Sequence, residues 1–104
     1  MRFVGLAALL VAASSAAQTA DPAYSELDKA YERLRGRDYA AAITAFCRAA
    51  ELAPQRPDIR KNLAYTLLKI GEPEAARDQF AEAMRLDPKD HHVALEYAFL
   101  AYET

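Results

Sequence analysis

Apolar residues recur along this chain at three- and four-residue intervals, in five short runs broken by glycine, proline and acidic residues. That interval places them on one face of an α-helix each time. Leu27, Ala30, Tyr31 and Leu34 form the first face, after Asp21-Pro22 and before Gly36. Proline is tolerated at a helix start because its missing N–H would have no partner there anyway. Asp38 is placed to cap a second helix carrying Ala42, Ile43, Phe46, Ala49 and Ala50, which stops before Pro54. Pro57-Asp58 opens a third, with Leu63, Ala64, Leu67 and Leu68 inward and Gly71 at its end. Glu72-Pro73-Glu74 starts a fourth, with Ala76, Phe80, Ala83 and Met84, ended by Pro88. Asp90 can cap a fifth, from about His91 to Tyr102. Connections this short make successive helices antiparallel.

The runs repeat. At an offset of 34 residues Ala42 falls on Ala76, Phe46 on Phe80, Ala49 on Ala83, Leu52 on Leu86 and Pro54 on Pro88, with no gap. Ala30, Ala64 and Ala98 share the same register on the first helix of each unit. A period of this size denotes stacked helical hairpins. The alanines let two helix axes approach closely, and Phe46 and Phe80 fill the space between one hairpin and the next. The third unit has a first helix only. Its sequence, VALEYAFLAY, is apolar almost all round, and such a helix wants cover on more than one side. Either the polypeptide continues with a second helix or another chain buries Val93–Tyr102 by self-association.

Ahead of the repeats, Met1–Ala20 reads as a secretory leader: Arg2, an apolar run from Phe3 to Ala13, then the small-x-small motif Ser15-Ala16-Ala17. The run is short of the roughly 20 residues that span a bilayer. Cleavage after residue 17 is expected, with a cut after residue 20 as the alternative. The expected location is therefore outside the cytoplasm, periplasmic or extracellular, in a bacterial envelope, with no stable membrane span after cleavage. Arg2 is the only charge within residues 1–17, so cleavage there takes the formal charge from −2 to −3. That balance does not suggest nucleic acid as a partner. One cysteine, Cys47, excludes an internal disulfide framework and reads as a small semi-buried residue rather than a reactive thiol. His91 and His92 point about 100° apart on a helix and have no third ligand, so no metal site or cofactor is expected. No nucleophile–base pairing and no phosphate-binding glycine loop occurs, so the chain reads as non-enzymatic.

The pattern resembles the tetratricopeptide repeat (TPR) family. Leu63-Ala64, Leu67, Gly71, Ala76, Phe80, Ala83 and Pro88 carry the resemblance in the better copy, and Ala30, Tyr39, Ala42, Phe46, Ala49 and Pro54 in the first. In that first copy the helix-ending glycine, Gly36, comes one place early, and Arg33 replaces a large apolar residue. The resemblance implies an all-α, right-handed superhelical array of antiparallel hairpins, about two and a half repeats after the signal peptide: residues 23–56, 57–90 and the helix of 91–104. It also implies that first helices line a concave groove. Tyr31, Tyr65 and Phe99 would form an aromatic ladder there, flanked by Leu34 and Leu68, with Asp28, Asn62 and Glu96 as a polar, faintly acidic row. Such a groove suits an extended or helical peptide with apolar anchors and a basic residue or two. A mode in which some members hold a chaperone's C-terminal carboxylate is not expected. Asn62 alone fits it, while Leu27, Tyr31, His92 and Glu96 depart from the required bases and asparagine. The implied function is a protein–protein interaction scaffold. The alternative is the N-terminal TPR portion of a longer envelope protein whose active or assembly part lies beyond residue 104.

Overall fold

The computed structural model describes residues 21–104, so the expected leader over Met1–Ala20 lies outside the described residues. Five helices follow in chain order: α1 Tyr24–Arg35, α2 Tyr39–Leu52, α3 Pro57–Lys69, α4 Pro73–Leu86 and α5 His91–Glu103. There is no strand among the described residues. The connections are three or four residues long, so each helix packs against its neighbours in sequence.

Local chemistry explains the boundaries. The Asp38 carboxylate accepts the Ala41 amide at 3.3 Å, and Asp90 accepts the Val93 amide at 3.2 Å, capping α2 and α5. Pro57 and Pro73 occupy the first turns of α3 and α4, where a missing N–H leaves nothing unpaired. Pro22 falls outside its helix instead. Asp21 turns the chain by accepting the Ala23 amide at 3.0 Å, and α1 begins two residues after the proline.

The turns ending α1 and α3 share one backbone hydrogen-bond pattern, although Gly36-Arg37-Asp38 stands in register with Ile70-Gly71-Glu72. Arg37 and Asp38 donate their amides to Leu34 and Arg33 carbonyls; Gly71 and Glu72 donate theirs to Leu68 and Leu67. Each is a 6→1 and 5→2 pair, the arrangement that closes a helix through a left-handed residue. In the second unit that residue is Gly71, φ 76°. In the first it is Arg37, φ 59°. Gly36, expected to end α1 as its turn glycine, has an ordinary φ of −81°. The displaced glycine therefore does not supply the left-handed turn; the arginine at the register position does.

The core is built from the expected small and aromatic residues. Ala30, Ala42, Phe46, Ala49, Ala64, Ala76, Phe80 and Ala83 are all buried. They fall into two clusters, each formed by one hairpin and the back of the next first helix. Ile59 and Leu63 of α3 close the first, and Val93 and Leu100 of α5 close the second. Tyr31 packs edge-on against Phe46 (centroids 5.5 Å, 81°), and Tyr65 repeats the contact on Phe80 (5.0 Å, 81°). Ion pairs add fasteners between units. Arg56 holds both Asp58 and Asp21, and Lys61 reaches the α5 cap, Asp90, at 2.9 Å.

Candidate functional site

First helices α1 and α3 meet through a polar bridge. The Asn62 amide nitrogen donates to Tyr31 Oη at 2.9 Å. Two expected groove residues are thus tied together, and the Tyr31 ring has a second task, since it also seals its hairpin against Phe46. Beside this bridge lies a cleft of about 260 Å³. Leu34 and Arg35 from the end of α1, Arg37 and Tyr39 from the turn into α2, and Asn62, Tyr65, Thr66 and Lys69 from α3 line it. The volume falls a little below the roughly 300–1,000 Å³ of small-molecule pockets, a size for side chains of a docked segment.

Of the expected groove residues, Leu34, Asn62 and Tyr65 line this cleft. Tyr31 borders it through Asn62. Leu68 is half-buried against the second core cluster. Glu96 is half-buried and close enough to Tyr65 to matter electrostatically. Burial pushes the Tyr65 phenol's pKa up, and Glu96 and Asp90 add to the shift while Lys61 opposes it. Asp28 is exposed. Phe99 is 62% exposed among the described residues.

Five lining residues were not singled out for the groove from sequence: Arg35, Arg37, Tyr39, Lys69 and Thr66. Thr66 is buried and returns its hydroxyl to the Asn62 carbonyl at 2.7 Å, which shapes the α3 wall. The three cations give this cleft a basic rim, at positions other than the faintly acidic row read from Asp28, Asn62 and Glu96. A 34-residue offset bears on all three, since Arg35 falls on Lys69 and Arg37 stands where Gly71 stands.

The remaining face of α5 is open. Leu95, Phe99 and Tyr102 are 71%, 62% and 89% exposed, and Ala98 is exposed too. Their register equivalents Leu27, Ala30, Tyr31 and Leu34 are buried or half-buried, because α2 covers them. Cys47 is exposed rather than semi-buried. Neighbouring atoms still desolvate the thiol enough to raise its pKa, with Glu51 adding and Arg60 opposing, which disfavours a reactive thiolate. Among the described residues no group of three or more His, Cys, Asp or Glu is placed to hold a metal ion. No helix among them is long and apolar enough to cross a membrane.

A family model described as tetratricopeptide repeat matches residues 27–91. The chain is 38% identical over 56 residues to the small glutamine-rich tetratricopeptide repeat-containing protein 2 of Mycosarcoma maydis; the match spans 54% of this chain and only 16% of that protein. Among solved structures, the second TPR of Spaghetti (RPAP3) bound to HSP90 peptide SRMEEVD superposes with a TM-score of 0.72 at 23% identity, over 85% of this chain and 82% of that one. A further TPR domain, known from a crystal structure, gives 0.73 at 27% identity, over 86% of this chain and 25% of that one.

Proposed function

The chain belongs to the tetratricopeptide repeat family, and from that premise we propose that it is a non-enzymatic scaffold that takes a peptide or protein segment on the surface formed by its first helices. One observation carries the reading: the cleft between α1 and α3. Half-buried Leu34, Tyr39 and Tyr65 give it an apolar floor, and Asn62, fixed by Tyr31, gives it an oriented amide. Rings that are already held by Phe46 and Phe80 lose little freedom on binding, which favours affinity. The peptide in the Spaghetti complex supports the same class of partner by analogy of fold.

The test is affinity capture with the full chain against Leu34→Lys and a Tyr31→Ala/Tyr65→Ala double variant, with circular dichroism checking that each remains helical. Leu34→Lys changes the cleft while leaving the buried alanines and phenylalanines intact. Partners retained by both folded variants would refute the groove. The leader pattern of Met1–Ala20 supports an exported protein, and mass spectrometry of exported material should find an N-terminus at Gln18 or Asp21; intact Met1 there would refute it.

The open face of α5 favours a second reading, in which a further helix covers Leu95, Ala98, Phe99 and Tyr102 as α2 covers their equivalents. That helix would come from a longer envelope protein or from a second copy. Light scattering of the chain separates these, since a clean monomer at high concentration excludes the second copy.

A further inference from the structure

The two ends of the array are chemically unlike. α3 packs back onto the first hairpin through Ile59, Leu63 and Leu67. One repeat earlier these positions hold Ser25, Lys29 and Arg33, all exposed on α1. Arg33, the arginine in an otherwise apolar row, belongs to this set, and Thr44 and Arg48 of α2 line the same shallow groove. The α1 end therefore presents charged side chains where a stacked unit would need apolar ones.

At the other end α5 keeps its apolar residues. Val93 and Leu100 are buried against the second hairpin. On the opposite side His91, Leu95, Ala98 and Tyr102 are exposed, with Phe99 beside them. At about 100° per residue those four fall within about 60° of one another, a single stripe along the helix. α5 has no lysine or arginine; its histidines stand in the first turn and Glu103 in the last.

Such a stripe is complementary to itself when turned end for end. Two antiparallel α5 helices related by a two-fold axis near Ala98 bring small residues together at the axis, which allows close approach. Helical spacing then seats Tyr102 of one copy between His91 and Leu95 of the other. His92 and Glu103 lie on the same flank, about 100° and 120° round from His91, so each His92 meets Glu103 of the second copy. Antiparallel pairing also sets the positive end of each helix dipole beside the negative end of the other, whereas a parallel pair would align like ends and place the two Glu103 carboxylates together. Leu95, Phe99 and Tyr102 expose about 400 Å² per copy, taking roughly 150–250 Å² for a large side chain. With the alanines, two copies bury about 1,000 Å², the lower limit of a specific interface.

We propose that α5 joins two copies of the chain into a closed, two-fold symmetric dimer through Leu95, Ala98, Phe99 and Tyr102, leaving the polar α1 ends outward so that assembly stops at two. The inference rests on the reading that the open face of α5 is covered, and names α5 of a second copy as the cover.

Sedimentation equilibrium of the full chain over a wide range of loading concentrations tests it. Monomer and dimer alone are expected, with a dissociation constant on the order of micromolar, as suits a small interface. Phe99→Glu should weaken the dimer at least tenfold with the helical circular dichroism unchanged. His92→Glu should weaken it about fivefold, because it sets carboxylate against carboxylate at both symmetric contacts, and adding Glu103→Lys should restore it. Each of these charge changes suits the dipole of α5 itself, so loss followed by rescue does not arise from unfolding. A clean monomer at high concentration would overturn the proposal and leave a helix of a longer protein as the cover. A dimer that survives Phe99→Glu would overturn the interface, failure of Glu103→Lys to rescue His92→Glu would overturn the antiparallel pairing, and species that grow beyond two copies would overturn closure. The cleft between α1 and α3 is tested separately, by Leu34→Lys.

Discussion

Replacing Arg37 with glycine is expected to stabilise the protein. Holding an L-residue with a side chain in the left-handed region costs about 1–2 kcal/mol, because Cβ crowds the following carbonyl oxygen. Arg37 stands there at φ 59°. The substitution removes that cost and keeps the turn's hydrogen bonds, since both are made by backbone atoms: Arg37 N–H to the Leu34 carbonyl at 3.0 Å and Asp38 N–H to Arg33 at 2.9 Å. Against this, glycine gives the unfolded chain about 0.5–1 kcal/mol of extra freedom. The net gain is about 0.5–1 kcal/mol. At roughly 4–8 °C per kcal/mol for a domain of this size, the melting temperature should rise by about 2–8 °C. Thermal unfolding followed by circular dichroism measures it. Two companions sharpen the result. Gly71→Ala, at φ 76° with open space around the new Cβ, should lower the melting temperature through strain alone. Gly36→Ala should not, because its φ is −81° and a Cβ would meet Arg33 and Glu32 carbonyls only at ordinary contact distances of 3.6 and 3.7 Å. If Arg37→Gly left the midpoint unchanged or lowered it while Gly71→Ala behaved as described, the strain argument for Arg37 would be refuted.

Ala64→Leu or Ala76→Leu should cost about 1–3 kcal/mol by overpacking, since both alanines are fully buried at helix contacts; chemical denaturation with unchanged midpoints would show that the helices are not so closely packed. Tyr31→Phe removes the acceptor of the Asn62 amide and should cost about 0.5–1.5 kcal/mol without disturbing the contact with Phe46; the urea midpoint reports it. Acid should weaken the array. Hydrogen bonding to Arg56 holds the Asp58 pKa below its ordinary value, and hydrogen bonding to Lys61 and the Val93 amide does so for Asp90. Groups depressed in the folded state contribute stability above their unfolded pKa, about 4, and lose it as pH falls through the folded value. Urea midpoints at neutral pH and below pH 4 should therefore diverge, and Asp90→Asn should narrow the difference; an equal drop in the variant would remove Asp90 from the account.

What the sequence determines here is whatever repeats locally. Periodicity at three and four residues reflects which face of a helix is apolar, and it located the five helices of the described residues. Asp38 and Asp90 were legible as caps because a cap acts only on amides two or three residues away. The buried alanines and the Phe46–Phe80 pair were legible because a 34-residue register shows them twice. Membership of the TPR family follows from the same pattern. The tertiary structure decided the rest. Ile59 and Thr66 are buried because α3 also packs backwards onto the preceding unit, a contact with no local signature. The Asn62–Tyr31 bridge joins residues far apart in sequence. Arg35, Arg37 and Lys69 meet at one cleft only because the hairpins stack, bringing the end of α3 beside the turn after α1. Arg37's backbone is the clearest case. A displaced glycine suggested that Gly36 would make the turn, yet the turn keeps its register from one hairpin to the next. Helix length and packing set that register, and the residue standing there, glycine or not, must adopt the conformation it requires.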